Sequence, residues 1–362
     1  MEILKPTKIG EMPIKNRLVM APLTRSRADN PDAAPTDLHV EYYKQRASAG
    51  LIISEGTVVS KQGVGYVNVP GIYSEKQVAA WRKVTEAVHE AGGKIFIQIW
   101  HVGRVTHPDF LDGELPVAPS AINPNISVRT PKGKKESVTP RALTVEEIHS
   151  IVKDFKKAGE NAMAAGFDGV EIHSSNGYLF HQFFSNSSNQ RTDNYGGSDE
   201  NKSRILFEVI DALKSIMPEN RIGLRLNPML DGMSGITIDE ETAATFDYII
   251  NKLNSYDLAY LHMSRPWVES DKPFAIKDVI GHYRQLYKGF LIANNNYDKE
   301  SAEHDVASGK ADAIAFGRLF IANPDLPFRF ENNLQVAAPD PGTFYTPGPK
   351  GYVDYPKYDK IR

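Results

Sequence analysis

Short apolar runs alternate along this chain with longer amphipathic stretches, and the two follow different periods. Residues 17–21, 51–54, 94–99, 169–172, 222–226, 258–263, 290–293 and 313–315 are compact apolar runs, the pattern of short strands buried on both faces. Between them, residues 37–48, 75–90, 145–164, 200–216, 239–253, 274–286, 299–307 and 325–332 show helical periodicity. Some helix starts carry their own signals, such as Thr144 ahead of Glu146 and Glu147, and the acidic run Asp239, Glu240, Glu241. Eight βα units in succession predict an α/β fold, a (β/α)8 TIM barrel, whose active site lies at the carboxyl ends of the strands. Residues 101–142 interrupt the alternation after the third strand with a stretch rich in Pro, Gly and Asn, and a loop of that length is expected to act as a lid. Residues 337–362 form a Pro- and Tyr-rich tail expected to pack irregularly over the barrel. No linker or repeat divides the chain, so 1–362 is expected to be one domain.

Composition narrows the function classes. Of the 362 residues 41% are hydrophobic and 24% charged, enough to bury a large core. A formal net charge of -3 gives no basic field for nucleic acid or anionic membranes. No run approaches the ~20 apolar residues of a membrane span, and the first residues are not a secretory signal, so a cytoplasmic protein is expected. There is no cysteine, which excludes disulfides, thiolate nucleophiles, cysteine-ligated zinc and iron–sulfur clusters. No metal site is read in the sequence.

The strand ends collect polar residues that folding alone does not require. The stretch from Phe167 to Gly197 runs from an apolar strand into His173, Asn176 and Tyr178. Side chains three apart in a turn share a face, so His173 and Asn176 are placed to donate two hydrogen bonds to one ligand oxygen, with the Tyr178 phenol nearby. Each of the three, taken singly, is better explained as a loop or cap residue, and it is their number and company that favour a site. Pro22, Leu23 and Thr24 follow the first strand, Glu55 and Gly56 the second, and Gln98, Trp100 and His101 the third; Arg225 and Asn227 end the fifth. Gln98, Arg225 and Thr24 suit a flat heterocycle with alternating carbonyl and N–H edges, such as the pyrimidine side of a flavin, where a cation stabilises the reduced ring. Arg225 paired with Glu171 inside the barrel is the structural alternative. Residues 294–296 after strand seven, with Gly317 and Arg318 after strand eight, match a recurring phosphate position; a tight turn with a surface arginine is the alternative.

With these residues in view, the chain resembles the Old Yellow Enzyme family of FMN-dependent ene reductases from end to end, and within it an N-ethylmaleimide reductase-like branch. The resemblance rests on NRLVMAPLTRSRA at 16–28, IFIQIWHVGR at 95–104, PVAPSAI at 116–122, the run from His173 through SNQRTDNYGGS at 188–198, and AFGRLFIANPDLPFR at 315–329. It implies FMN as cofactor and NADPH or NADH as reductant. By the same resemblance Thr24 holds the flavin C4 carbonyl, Gln98 and Arg225 hold the pyrimidine edge, and Pro22, Leu23 and Gly56 line the ring. Asn295, Gly317 and Arg318 are implied to bind the phosphate. His173 and Asn176 would grip a carbonyl or nitro oxygen, Tyr178 would donate the proton, and Tyr66, Trp100 and Tyr345 would shape the substrate pocket. The chain departs from the family pattern at Ser174 and Ser175, where Gly and Ala are common, at His181, and at Asn294, where glycine is frequent.

The implied activity is reduction of the C=C bond of enones, maleimides or nitroalkenes in two half-reactions, by a monomer or homodimer with no nucleic acid or membrane partner. One rival is a flavin-binding sensor or storage protein with little turnover. The other is a flavin-free, phosphate-binding lyase or isomerase, which needs a lysine or carboxylate base at a strand end, and no lysine falls there.

Overall fold

The computed structural model describes residues 1–358. Eight parallel strands close on themselves: β1 (Leu18–Met20), β2 (Leu51–Ile53), β3 (Ile95–Trp100), β4 (Gly169–His173), β5 (Ile222–Leu226), β6 (Tyr260–Ser264), β7 (Leu291–Asn294) and β8 (Ala313–Phe316). Each pairs with its sequence neighbours, and Ile314↔Leu18 between β8 and β1 completes the circle. This is the expected barrel. The helices are α1 (Asp37–Gln45), α2 (Glu75–Glu90), α3 (Val145–Ala164), α4 (Leu179–Phe184), α5 (Asp199–Lys214), α6 (Thr242–Leu253), α7 (Val279–Leu286), α8 (Lys299–Ala307), α9 (Arg318–Ala322) and α10 (Leu326–Glu331).

The strands are buried on both faces because two cores meet them. Outward residues such as Leu18, Ile52, Ile97 and Ile172 pack under the helices. Inward residues Val19, Leu51, Ile53, Phe96, Tyr260 and Ile292 form a second cluster in the barrel's lower half. Ile9 and Ile14 join that inner cluster from an antiparallel hairpin, Thr7–Ile9 with Met12–Ile14, which plugs the amino-terminal end. The plug was not foreseen, because its two strands are only three residues each.

Helix starts follow local chemistry. Ser74 and Thr144 each close a capping box, with Gln77 and Glu147 respectively, satisfying donors that otherwise cost about 1 kcal/mol each. Two starts lie later than the periodicity suggests. The helix expected from 274 begins at Val279, where Asp278 accepts the Gly281 N–H at 3.1 Å. The one expected from 239 begins at Thr242, whose hydroxyl donates to Asp239 at 2.8 Å. In both, an acidic side chain ends the loop rather than extending the helix. Residues 101–142 contain a second hairpin, Ser127–Thr130 with Gly133–Glu136, and a short pairing of Arg141–Ala142 with Val117–Ala118.

The tail from residue 337 is described as far as 358, and 359–362 lie outside the described residues. Buried Arg27 ties it down. Its guanidinium donates to the carbonyls of Arg25 (2.6 Å), Phe344 (2.8 Å), Thr343 (2.9 Å), Lys350 (3.1 Å) and Gly348 (3.3 Å). Tyr345 and Pro347 are thereby carried to the mouth of the barrel. No described helix is long and apolar enough to cross a membrane.

Inside the barrel, a Cβ on Gly223 would sit 2.3 Å from Tyr260 Cζ. Gly223→Ala is therefore expected to destabilise the fold by about 1–3 kcal/mol through overpacking. Chemical denaturation checks this, and an unchanged midpoint would show that the inner core yields.

Candidate active site

The carboxyl ends of the strands surround a cavity of about 1000 Å³, the upper end of ordinary ligand pockets. Pro22, Leu23, Thr24, Tyr66, Asn176, Tyr178, Arg225, Asn295, Gly317, Arg318 and Tyr345 all line it. Gly56, Gln98, Trp100 and His173 do not: they form the buried wall immediately behind. Gly56 is small so that Trp100 can lie on it, since a Cβ there would be 2.6 Å from the indole.

The barrel interior turns polar in its middle layer. Register aligns Gln98 with Glu171, His173 with Arg225, and Arg225 with His262. Gln98 Nε2 donates to Glu171 Oε1 at 2.7 Å, and His262 Nδ1 meets Glu171 Oε2 at 2.8 Å. Glu171 is thus occupied by neutral partners, and the alternative pairing with Arg225 is absent from the ion pairs of the described residues. Arg225 Nη2 instead donates to Asn294 Oδ1 at 3.0 Å and Ser264 Oγ at 3.2 Å. Its Nε is buried without a partner, although the side chain borders the cavity. Such a group calls for an acceptor from a bound molecule.

Above this layer stands an aromatic box. Trp100 stacks on His173 at 5.8 Å between centroids, and Tyr178 meets both edge-on at 4.9 Å and 5.0 Å. Ser175 supplies what sequence reasoning missed: its N–H and hydroxyl lie 3.4 Å and 3.2 Å from His173 Nδ1. The N–H can only donate, so Nδ1 accepts and Nε2 carries the ring proton. Burial, then the Arg225 guanidinium, holds the imidazole neutral, well below its usual range. Asn176 adopts φ 59°, the left-handed conformation that asparagine tolerates, and accepts the Asn227 amide N–H at 3.4 Å on Oδ1. Its own NH2 group remains free to donate. The Tyr178 hydroxyl pairs with Tyr66 Oη at 2.8 Å, and burial raises its pKa well above 10. Departing His181 sits in α4, edge-on to Phe246 at 5.6 Å. The only advance sign of the Ser175 and Asn227 contacts was hydrogen-bonding residues close behind the two donors.

At the far end, the backbone N–H groups of Asn295, Asn296, Gly317 and Arg318 find no acceptor among the described residues. Asn295 and Asn296 are both left-handed, at φ 76° and 54°. The Asn295 side chain is not available to a ligand in this structure, because Nδ2 donates to the carbonyls of Arg265 and Pro266 at 3.2 Å. Arg318 lies 6.0 Å from the Trp267 ring.

The profile of the NADH:flavin oxidoreductase / NADH oxidase family matches residues 2–337. The chain belongs to this family. It is 42% identical to 12-oxophytodienoate reductase 1 of Oryza sativa subsp. japonica, over 99% of this chain and 94% of that one. It is 44% identical to a probable flavin mononucleotide-dependent alkene reductase of Leishmania infantum, over 98% and 97%. Morphinone reductase, solved in complex with tetrahydroNAD, superposes with a TM-score of 0.93 at 44% identity, over 100% of this chain and 99% of that one. FMN is the family's cofactor, and the residues here fit it. Among the described residues the cavity offers a buried guanidinium with an unpartnered Nε on Arg225, a Thr24 hydroxyl without a partner and a group of free backbone donors for an anion.

Buried titratable groups outside the cavity lining set an acid limit. His39, His101 and His181 are pushed down to about 3, in each case chiefly by burial. Unfolding returns each to about 6.5, so below that pH the unfolded chain binds protons that the folded one refuses. Stability is therefore lost as pH falls, by about 1.4 kcal/mol per pH unit per histidine. Buried Glu55, pushed up to about 7, acts oppositely between 4.5 and 7 and offsets only one of them. Denaturation midpoints are expected to drop between pH 7.5 and 5.5, and a flat or rising profile would contradict neutral burial of these imidazoles.

Proposed function

We propose that the protein is an FMN-dependent ene reductase that uses NADPH or NADH to reduce alkenes activated by a carbonyl or nitro group, such as enones, maleimides and nitroalkenes. The observation that carries the reading is the pair of oriented donors. His173 and Asn176 each have their acceptor atom taken by a neighbour, so each keeps an N–H to donate close to the Tyr178 phenol. Activity in the alkene reductase of Leishmania infantum and the oxophytodienoate reductase of rice, by their names, adds weight.

When bound, FMN supplies a hydride accepted from the nicotinamide and given to the β carbon of the alkene. Thr24, Gln98 and Arg225 hold the flavin edge in this reading, Pro22, Leu23 and Gly56 its face, and the backbone at Asn295, Gly317 and Arg318 its phosphate. His173 and Asn176 hold the substrate oxygen and stabilise the charge that grows on it. A neutral imidazole serves this better than a titrating one, since its proton stays on Nε2 across neutral pH. Tyr178 gives its proton to the α carbon, and Tyr66 stabilises the resulting phenolate through their 2.8 Å contact. Tyr66, Trp100 and Tyr345 shape the pocket. Residues 101–142 cover it, as Arg129 of their hairpin borders the cavity.

Anaerobic stopped-flow separates the two half-reactions. His173→Ala is expected to slow reoxidation by cyclohexenone about 10²–10³-fold, the loss typical of one oxyanion donor, while flavin reduction by NADPH changes far less. Equal losses in both, or in neither, would sink the assigned role. Tyr178→Phe is expected to spare flavin reduction and slow the alkene step; unchanged turnover with cyclohexenone would remove it as proton donor.

A further inference from the structure

We propose that Asn294 is a positioning residue that presents Arg225 to the cofactor as a cation with no carboxylate bonded to it. The inference rests on the FMN reading above.

Asn294 ends β7, is 7% exposed, and borders the cavity beside Arg225 and Ala315. Its amide has one orientation. Nδ2 donates to the Ala315 carbonyl at 2.7 Å, and a carbonyl only accepts, so Oδ1 must turn the other way. There Oδ1 accepts from Arg225 Nη2 at 3.0 Å and from Ser264 Oγ at 3.0 Å, while Ser264 Oγ itself accepts from Nη2 at 3.2 Å. Two neutral acceptors on adjacent strands thus grip a single guanidinium nitrogen. Glu171, on the adjacent strand, acts on Arg225 through its charge but gives its hydrogen bonds to Gln98 and His262. Arg225 is consequently fixed in place with no carboxylate bonded to it, and its Nε is left unpartnered.

An amide is the residue type that does both jobs at once. A carboxylate at 294 would grip the guanidinium at least as firmly but cancel its charge. A methyl group would leave Ser264 as the remaining anchor. The difference matters because a cation beside a flavin favours the reduced, negatively charged ring and raises its potential.

The test uses the full chain reconstituted with FMN, with cofactor affinity read by flavin fluorescence and midpoint potential by spectroelectrochemistry. Asn294→Ala is expected to weaken FMN binding about tenfold, the cost of one hydrogen bond to a charged group, and to lower the potential. Asn294→Asp is expected to lower the potential further than Asn294→Ala, because it keeps the guanidinium in place but offsets its charge. Equal shifts in the two variants would reduce Asn294 to packing and overturn the proposal, as would a wild-type potential in Asn294→Asp. If Asn294→Asp retains no FMN, Asn294→Ala decides alone: a potential below wild type supports the role and an unchanged one overturns it. Wild-type protein that takes up no FMN would instead overturn the reading on which the inference rests.

Discussion

The buried guanidinium of Arg225 is the constraint around which the barrel interior is arranged. A charge removed from water costs several kcal/mol unless hydrogen bonds and an opposite charge compensate it. Here the compensation from the protein is partial. Ser264 and Asn294 satisfy one nitrogen, the hydrogen bonds of Glu171 go to Gln98 and His262 rather than to the guanidinium, and Nε has no partner. The remaining demand faces the cavity, which is where an acceptor-rich ligand belongs. The apolar plug of Ile9 and Ile14 below seals the other end of the barrel, so that this polar layer opens in one direction only.

The layer above uses the same logic with neutral groups. Trp100 and Tyr178 flank His173 with their rings, and burial keeps the imidazole uncharged next to a cation. Arg225 thus brings a buried cation to the cavity lining, while Asn176 and Tyr178 bring neutral N–H and O–H donors to it. The division matches a reaction in which negative charge appears twice, on a reduced cofactor and then on a substrate oxygen. A protonated His173 would blur the division, and the aromatic box prevents it.

The barrel was legible because each strand is a short, largely apolar run buried on both faces, set off from the longer amphipathic stretches between them. The capping boxes at Ser74 and Thr144 were equally local. What escaped depends on contacts between distant segments. The plug at residues 7–14 gains its stability from the inner core, and two three-residue strands carry no period of their own. Arg27 reads as one of several arginines after the first strand, yet it gathers five carbonyls, four of them more than 300 residues away. Within the site, eleven of the fifteen residues expected there line the cavity, and Gly56, Gln98, Trp100 and His173 stand one layer back. The sequence named Ser175 only as a departure from a pattern, and Asn294 as a departure within the expected phosphate loop. Their partners, His173 Nδ1 and Arg225 Nη2, turn both departures into determinants of how a neighbouring group is presented.

The central claim is that the cavity's unpaired donors are met by FMN and that electrons then pass to an activated alkene. The visible spectrum of the purified protein tests it most directly, followed through anaerobic addition of NADPH and then of cyclohexenone. The account predicts a yellow protein with about one flavin per chain, bleached by NADPH and restored by the enone. A colourless protein that takes up no added FMN would contradict the cofactor assignment, and a flavin that bleaches but is never restored by any activated alkene would contradict the reaction.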